Sequence, residues 1–142
     1  MPALASELDT ASEAFASNRA HTLALIDAWR AIEAATRAAS AKAAPLFERR
    51  GQLLPRERVA RLLDPGVPFL ELSTLAGHGQ DGERGVAGGG AIVGIGVVEG
   101  VRVLVVADDA GIDAGALQAQ GLEKLLGAGA RNRAAPGALA RR

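Results

Sequence analysis

The sequence contains no cysteine. That excludes a disulfide framework, a thiolate zinc site and a cysteine nucleophile. It also lacks tyrosine, and aromatic residues amount to only 3%, so any core must be assembled from small side chains that bury little apolar area each. Net charge is absent too: sixteen Lys and Arg balance sixteen Asp and Glu. Nucleic-acid binders carry a basic excess, so the balance argues against that class. No apolar run approaches the roughly 20 residues of a membrane span. The longest, residues 91–98, is interrupted by Gly94 and Gly96. The N-terminus, MPALASELDT, has neither a basic nor a hydrophobic signal region, so no secretory signal is read and the cytoplasm is the expected compartment.

What is present is a chain of 142 residues, 49% hydrophobic and 23% charged, a balance that fits one globular domain and not a disordered polymer. Residues 10–50 are Ala-rich. Leu23, Ile26, Trp29 and Ile32 recur every three positions, with Leu25 widening the stripe, and this predicts a long amphipathic helix. Asp9 or Thr10 is the expected cap, with Glu13 completing a box from Thr10. Acids and bases alternate along the helix, unlike the basic face of a membrane-surface helix. Gly51 ends the pattern. A second helix starts at Pro55, where Glu57 and Arg61 are spaced for an ion pair and Val59, Leu62 and Leu63 form an apolar edge. Asp64-Pro65-Gly66 is a turn.

Residues 67–75 read as a strand, and 76–90 as a Gly-rich surface loop. The strongest strands are 91–98 and 101–107, joined by Glu99 and Gly100 in a tight hairpin. Their near-continuous apolar character predicts a sheet covered on both faces, with Arg102 at an exposed position. A helix with apolar Leu117, Leu122, Leu125 and Leu126 follows over 116–126. The remainder is a tail of Ala, Gly and Arg expected to be disordered. The resulting division is a helical segment at 1–50, a domain portion at 51–126 and a tail at 127–142.

Few motifs carry chemistry. Gly88, Gly90, Gly94 and Gly96 resemble a phosphate loop, but a phosphate loop must follow a strand and open a helix, and no P-loop lysine is present. Gly94 and Gly96 are better explained by close backbone approach in a crowded sheet. His21 and His78 lack carboxylates at ligand spacing, so no metal site is expected. Ser73, His78 and Asp81 lack a nucleophile elbow. Asp108, Asp109 and Asp113 cluster after a strand, where they could hold Mg²⁺ or act as a base, but loop capping with Asp113 as an N-cap is the simpler reading.

The run RGQLLPRERVARLLDPGVPFLELSTL at 50–75 and the run GGGAIVGIGVVEGVRVLVVADDA at 88–110 together resemble the N-terminal part of the carboxyltransferase (beta) subunits of biotin-dependent acyl-CoA carboxylases. The glycine-rich wording of the second run looks most like the methylcrotonoyl-CoA and geranyl-CoA types, with the geranyl type favoured. The resemblance implies an α/β fold, a partial crotonase-like (ClpP/crotonase) ββα unit preceded by a long N-terminal helix. It implies transfer of a carboxyl group from carboxybiotin to a branched acyl-CoA, with the enolate oxyanion held by backbone N–H groups. No catalytic side chain and no metal is then needed.

Biotin on a partner carrier and acyl-CoA are the implied cofactor and substrate. A biotin carboxylase or carrier subunit and other carboxyltransferase subunits are the implied partners, with neither nucleic acid nor membrane. Where the family reads Asn-Asp-Ala-Thr-Val-Lys-Gly-Gly, this chain has Asp108 through Gly115. Ala114 and Gly115 then fall on the acyl-CoA side, with Asp113 replacing a basic residue. The family's Asp/Glu-Ser-Gly-Gly-Ala oxyanion segment is not found. The polypeptide is therefore expected to be truncated, inactive alone and marginally stable, its tail reading like a shifted frame of a GC-rich gene. The alternative is a non-catalytic interaction module whose long helix packs on a carboxylase subunit.

Overall fold

The computed structural model of the chain describes residues 8–80, 86–116 and 119–134. It divides into two compact units, Met1–Ile32 and Glu33–Arg142, with the division inside the first helix. That helix, α1, spans Glu13–Ala41. Its cap is Ser12, not Asp9 or Thr10: the Ser12 hydroxyl accepts the Phe15 amide at 3.2 Å, while Asp9 accepts the Ala11 amide at 2.9 Å one turn earlier. The expected single helix over 10–50 is two helices. Pro45 has no N–H to donate to residue 41, and its ring crowds that carbonyl. The chain tightens after Ala41, with Lys42 and Ala43 donating to Ala39 and Ser40, and restarts as α2, Ala44–Arg49.

In the second unit, α3 spans Pro55–Leu62 and starts where Pro55 predicts. Glu57 turns back to accept the Leu54 amide at 3.0 Å, and no Glu57–Arg61 ion pair forms among the described residues. Val59 is buried and Leu63 half-buried, but Leu62, expected on the same edge, is 53% exposed. The strand expected over 67–75 shrinks to β1, Leu70–Glu71. Pro68 removes a ladder donor on one side, and Ser73 turns the chain at φ +51° on the other.

Strands β2, Ala91–Val98, and β3, Val101–Asp108, form the expected hairpin, and the antiparallel sheet has the order β1-β2-β3. Glu99 and Gly100 take φ of +52° and +76°, the pattern of a type I′ turn. Glutamate is a poor residue for that conformation. The turn is secured from outside, because the Asp64 carboxylate accepts the amides of Glu99 at 2.7 Å and Gly100 at 2.8 Å.

Both faces of β2 are covered. Ile92 packs with Val59, Val105 and Phe69 on one face; Ala91 and Val93 pack with Ala128 and Leu125 on the other. Close approach explains the strand glycines. A Cβ at Gly94 would collide with the Phe69 ring and lie 2.7 Å from the Leu70 carbonyl, and one at Gly96 would collide with Leu63. The expectation of two covered faces fails at β3, where Val101, next to the exposed hairpin turn, is 62% and Val106 50% exposed. Arg102 is exposed, as expected.

After β3 comes a short 3-10 turn, Asp113–Gly115, and then α4, Ala119–Ala134. The helix continues eight residues past the expected Leu126, since Ala128 and Leu125 are held by the sheet. Leu117 and residues 135–142 lie outside the described residues. Among the described residues, no helix is long and apolar enough to cross a membrane.

Candidate functional site

Within the second unit a cleft of about 710 Å³ opens between α2, the turn after it, α3 and the loop that follows β3. Leu46, Phe47 and Leu53 make one wall apolar. Arg50 and Arg58 are the only charged side chains among the described residues lining it, so the cleft favours an anion with an apolar portion. A further wall is Ala110, Gly111 and Ala114. This wall carries no side chain larger than methyl.

The wall is held in an unusual backbone conformation. Asp113, Ala114 and Gly115 have φ of +46°, +54° and +85° in succession. Only the glycine adopts such values without cost, and a non-glycine residue there costs roughly 1–2 kcal/mol. Of the two residues assigned to the acyl-CoA side from the sequence, Ala114 lines the cleft. Gly115 is not among the described lining residues and sits against Ala110, 3.4 Å from a Cβ built on it. Asp113 is exposed and does not line the cleft, so among the described residues no acid faces that space. Nor is Asp113 the N-cap: Ile112 holds that place, and Asp113 is the first residue of the turn.

Behind the wall lies a partly buried charge network. Arg56 makes a two-pronged hydrogen-bonded pair with Glu71, at 2.8 and 3.1 Å. Its Nε also faces the Asp109 Oδ2 at 3.8 Å, an ion pair without a direct hydrogen bond. Asp109 is 2% exposed, and its Oδ1 accepts the Ser40 hydroxyl at 2.6 Å and the Gly111 amide at 3.3 Å. Burial works against the Arg56 cation. The Glu71 hydrogen bonds and the charges of Glu71, Asp109 and Glu33 outweigh it and hold the Arg56 pKa above its ordinary value. Lys124 on α4 is also buried and donates to the carbonyls of Ala91 at 2.7 Å and Gly88 at 3.4 Å. Burial lowers its pKa; Glu71 pulls against that, Arg56 adds to it, and Asp109 again opposes it.

The aspartate cluster read from the sequence therefore separates. Asp109 points inward to Ser40 and Arg56, while Asp108 and Asp113 are exposed. Among the described residues no three His, Asp or Glu side chains gather as a metal site. His21 and His78 are each exposed, and Ser73 is an exposed turn residue whose carbonyl accepts the Ala76 amide; Asp81 lies outside the described residues. Sequence reading missed Arg50, Arg58, Arg56 and Glu71. A signal existed for Arg56: it precedes Val59 and Leu63 by three and seven positions, which puts a charge on the helix face that α3 buries. Nothing in the spacing marks Glu71 as its partner.

The carboxyl transferase domain family matches residues 48–137. A probable methylcrotonoyl-CoA carboxylase beta chain of Drosophila melanogaster is 42% identical over 79% of this chain, and a biotin-dependent 3-methylcrotonyl-coenzyme A carboxylase beta1 subunit of Mycobacterium tuberculosis is 56% identical over 46% of it. Among solved structures, the beta subunit of geranyl-CoA carboxylase of P. aeruginosa superimposes with a TM-score of 0.84 over 93% of this chain at 48% identity. Transcarboxylase 12S gives 0.60 at 20% identity, a likeness of fold. The chain spans 20% and 12% of the length of the two curated relatives and 25% of the geranyl-CoA carboxylase subunit.

Proposed function

Because the chain belongs to the carboxyl transferase domain family, with the crotonase-like fold of its structural relatives, we propose that residues 33–134 form part of the acyl-CoA side of a carboxyltransferase of a biotin-dependent acyl-CoA carboxylase. In that reaction a carboxyl group passes from carboxybiotin to the α-carbon of a branched acyl-CoA, through an enolate whose oxyanion is held by backbone N–H groups. The observation that carries the reading is the cleft. It gathers Arg50 and Arg58, an apolar wall and the small-residue wall of Ala110, Gly111 and Ala114 around one space. A coenzyme A thioester has the same division: phosphates for the arginines, and a pantetheine arm that fits against a wall without bulky side chains. Ala114 and Gly115 are the residues we assign to the acyl-CoA side.

Biotin would arrive on a partner carrier bringing the carboxyl group, and no described residue of this chain is assigned to it. Carboxyl transfer by these residues requires oxyanion donors from the rest of a carboxyltransferase domain. The 142-residue chain alone is thus expected to bind and not to turn over. Titration of the purified chain with coenzyme A by calorimetry tests the reading. Binding weakened roughly tenfold by Arg50→Ala or Arg58→Ala, and weaker for a ligand without the phosphates, is the expected result. No heat of binding at millimolar coenzyme A overturns it. Carboxylation of an acyl-CoA by the chain with only a biotin carboxylase and carrier added would overturn the claim of inactivity.

A second reading, a non-catalytic module that packs on a carboxylase subunit, is favoured by one feature of the first unit. Leu25 and Trp29 of α1 are 59% and 51% exposed. Retention of an intact beta subunit by the tagged chain, lost in Leu25→Gln, is the outcome that reading requires.

A further inference from the structure

We propose that Asp109 is the positioning residue of the cleft wall 110–114: its buried carboxylate fixes where that main chain runs, and so where the ligand lies. For what the wall does, the proposal rests on the acyl-CoA reading; for the wall's geometry it stands on its own. Three elements converge on this one carboxylate. Ser40 reaches it from the last turn of α1, Arg56 from the first turn of α3, and Gly111 from the wall itself. Main-chain bonds pin the same residue, with the Asp109 amide donating to Gly90 at 2.8 Å and the Ile112 amide donating to the Asp109 carbonyl at 2.8 Å.

The wall runs tight against Ser40. A Cβ at Gly111 would collide with the Ser40 hydroxyl and lie 2.6 Å from its carbonyl oxygen. The wall can approach α1 this closely only because residue 111 is glycine and because the Ser40 hydroxyl is turned onto Asp109. The charge is needed as well as the shape. Glu71 engages two guanidinium nitrogens of Arg56, leaving Nε directed at Asp109 Oδ2. A carboxamide with its oxygen kept on Ser40 and Gly111 would turn an N–H₂ toward that Nε, donor against donor.

Asp109→Asn and Ser40→Ala in the full chain test this by amide hydrogen exchange read residue by residue, with coenzyme A titration as a second arm. In Asp109→Asn the amides of Gly111 and Ile112 are expected to exchange about tenfold faster and shift in the spectrum, while β2–β3 amides change less than about twofold. Ser40→Ala gives the same local pattern at smaller amplitude. A merely structural contribution would speed exchange across the hairpin in proportion. That result, or an unchanged wall in both variants, overturns the proposal. If Asp109→Asn does not fold, Ser40→Ala, which retains the charge, decides by the same pattern. If the native chain binds no coenzyme A, the acyl-CoA reading fails while the exchange pattern still decides the role of Asp109. If the native chain binds it, Asp109→Asn must weaken binding several-fold, and unaltered affinity beside a disturbed wall overturns the link to the ligand.

Discussion

The two ends of α1 obey opposite rules of burial. In its earlier turns Leu25 at 59% and Trp29 at 51% are exposed, while Phe15 and Ile26 are only half-buried; in its last turns the buried residues are polar, Thr36 at 6% and Ser40 at 3%. Of the apolar stripe that predicts the helix, Ile26 and Ile32 are half-buried and the rest exposed, so the fully buried positions are not those of the stripe. The C-terminal turns are buried by hydrogen bonding: Thr36 donates to the Ala87 carbonyl at 3.3 Å and Ser40 to Asp109 at 2.6 Å. A buried carboxylate or carbonyl oxygen favours donors around it, because an unmet polar group costs more than an apolar contact returns; Asp109 Oδ2, which accepts no hydrogen bond, faces the Arg56 charge at 3.8 Å instead.

The strongest way to break that contrast is to remove the cation at the centre of the network. Arg56→Met leaves the buried Asp109 and half-buried Glu71 carboxylates without their cation. It is expected to cost about 3–5 kcal/mol in urea unfolding of the chain, enough to unfold a marginal domain. A loss below about 1 kcal/mol would mean the polar turns are buried by packing alone. Gly94→Ala probes the apolar part of the same unit. The added methyl meets the Phe69 ring and the Leu70 carbonyl. A loss of about 1–3 kcal/mol is expected by the same measurement. Gly100→Ala makes a control for conformation without crowding, since nothing lies within 4 Å of a Cβ there and only the φ of +76° is strained.

How far these features could be read from the sequence follows from how local their causes are. The hairpin was legible because Val and Ile runs flank a two-residue turn, and α3 because Pro55 fixes its start. The resemblance to carboxyltransferase subunits rested on two contiguous runs, and the family match covers both. The network was not legible, because Ser40 and Asp109 are sixty-nine residues apart and Arg56 and Glu71 fifteen, and no periodicity connects them. The same distance hid the meaning of Asp64, which reads as a turn former and also holds the hairpin turn. The break at Pro45 was a matter of weighting, with apolar period overvalued against a missing amide. Ala114 and Gly115 were placed on the acyl-CoA side from the resemblance, but only the fold reveals that Ala114 stands at φ +54° beside a cleft that Gly115 does not line among the described residues.

That angle makes a smaller prediction with the opposite sign. Ala114→Gly removes a Cβ from a left-handed residue, which gains roughly 1–2 kcal/mol, while a glycine's freedom in the unfolded chain returns about half of it. A net stabilisation of about 0.5–1 kcal/mol is expected in urea melts. Destabilisation would indicate that the methyl packs on the cleft wall and that the wall is set by contact as well as by Asp109.

The smallest effect sharpens the contrast most, because it separates a face that is bare from one that is covered in solution. Leu25→Gln exchanges residues of nearly equal helix propensity at a site 59% exposed, so stability should change by no more than about 0.5 kcal/mol. Urea unfolding at two protein concentrations, tenfold apart, measures it. If Leu25 faces water the midpoint is unmoved at both. If a second copy covers that face, the native midpoint rises with concentration and the Leu25→Gln midpoint does not, since burying a leucine stabilises by about 1.5–3 kcal/mol that a glutamine amide would not supply. The latter outcome would mean that the early turns of α1 obey the ordinary apolar rule after all, with burial supplied by association, and only Thr36 and Ser40 would remain as residues buried for their hydroxyls.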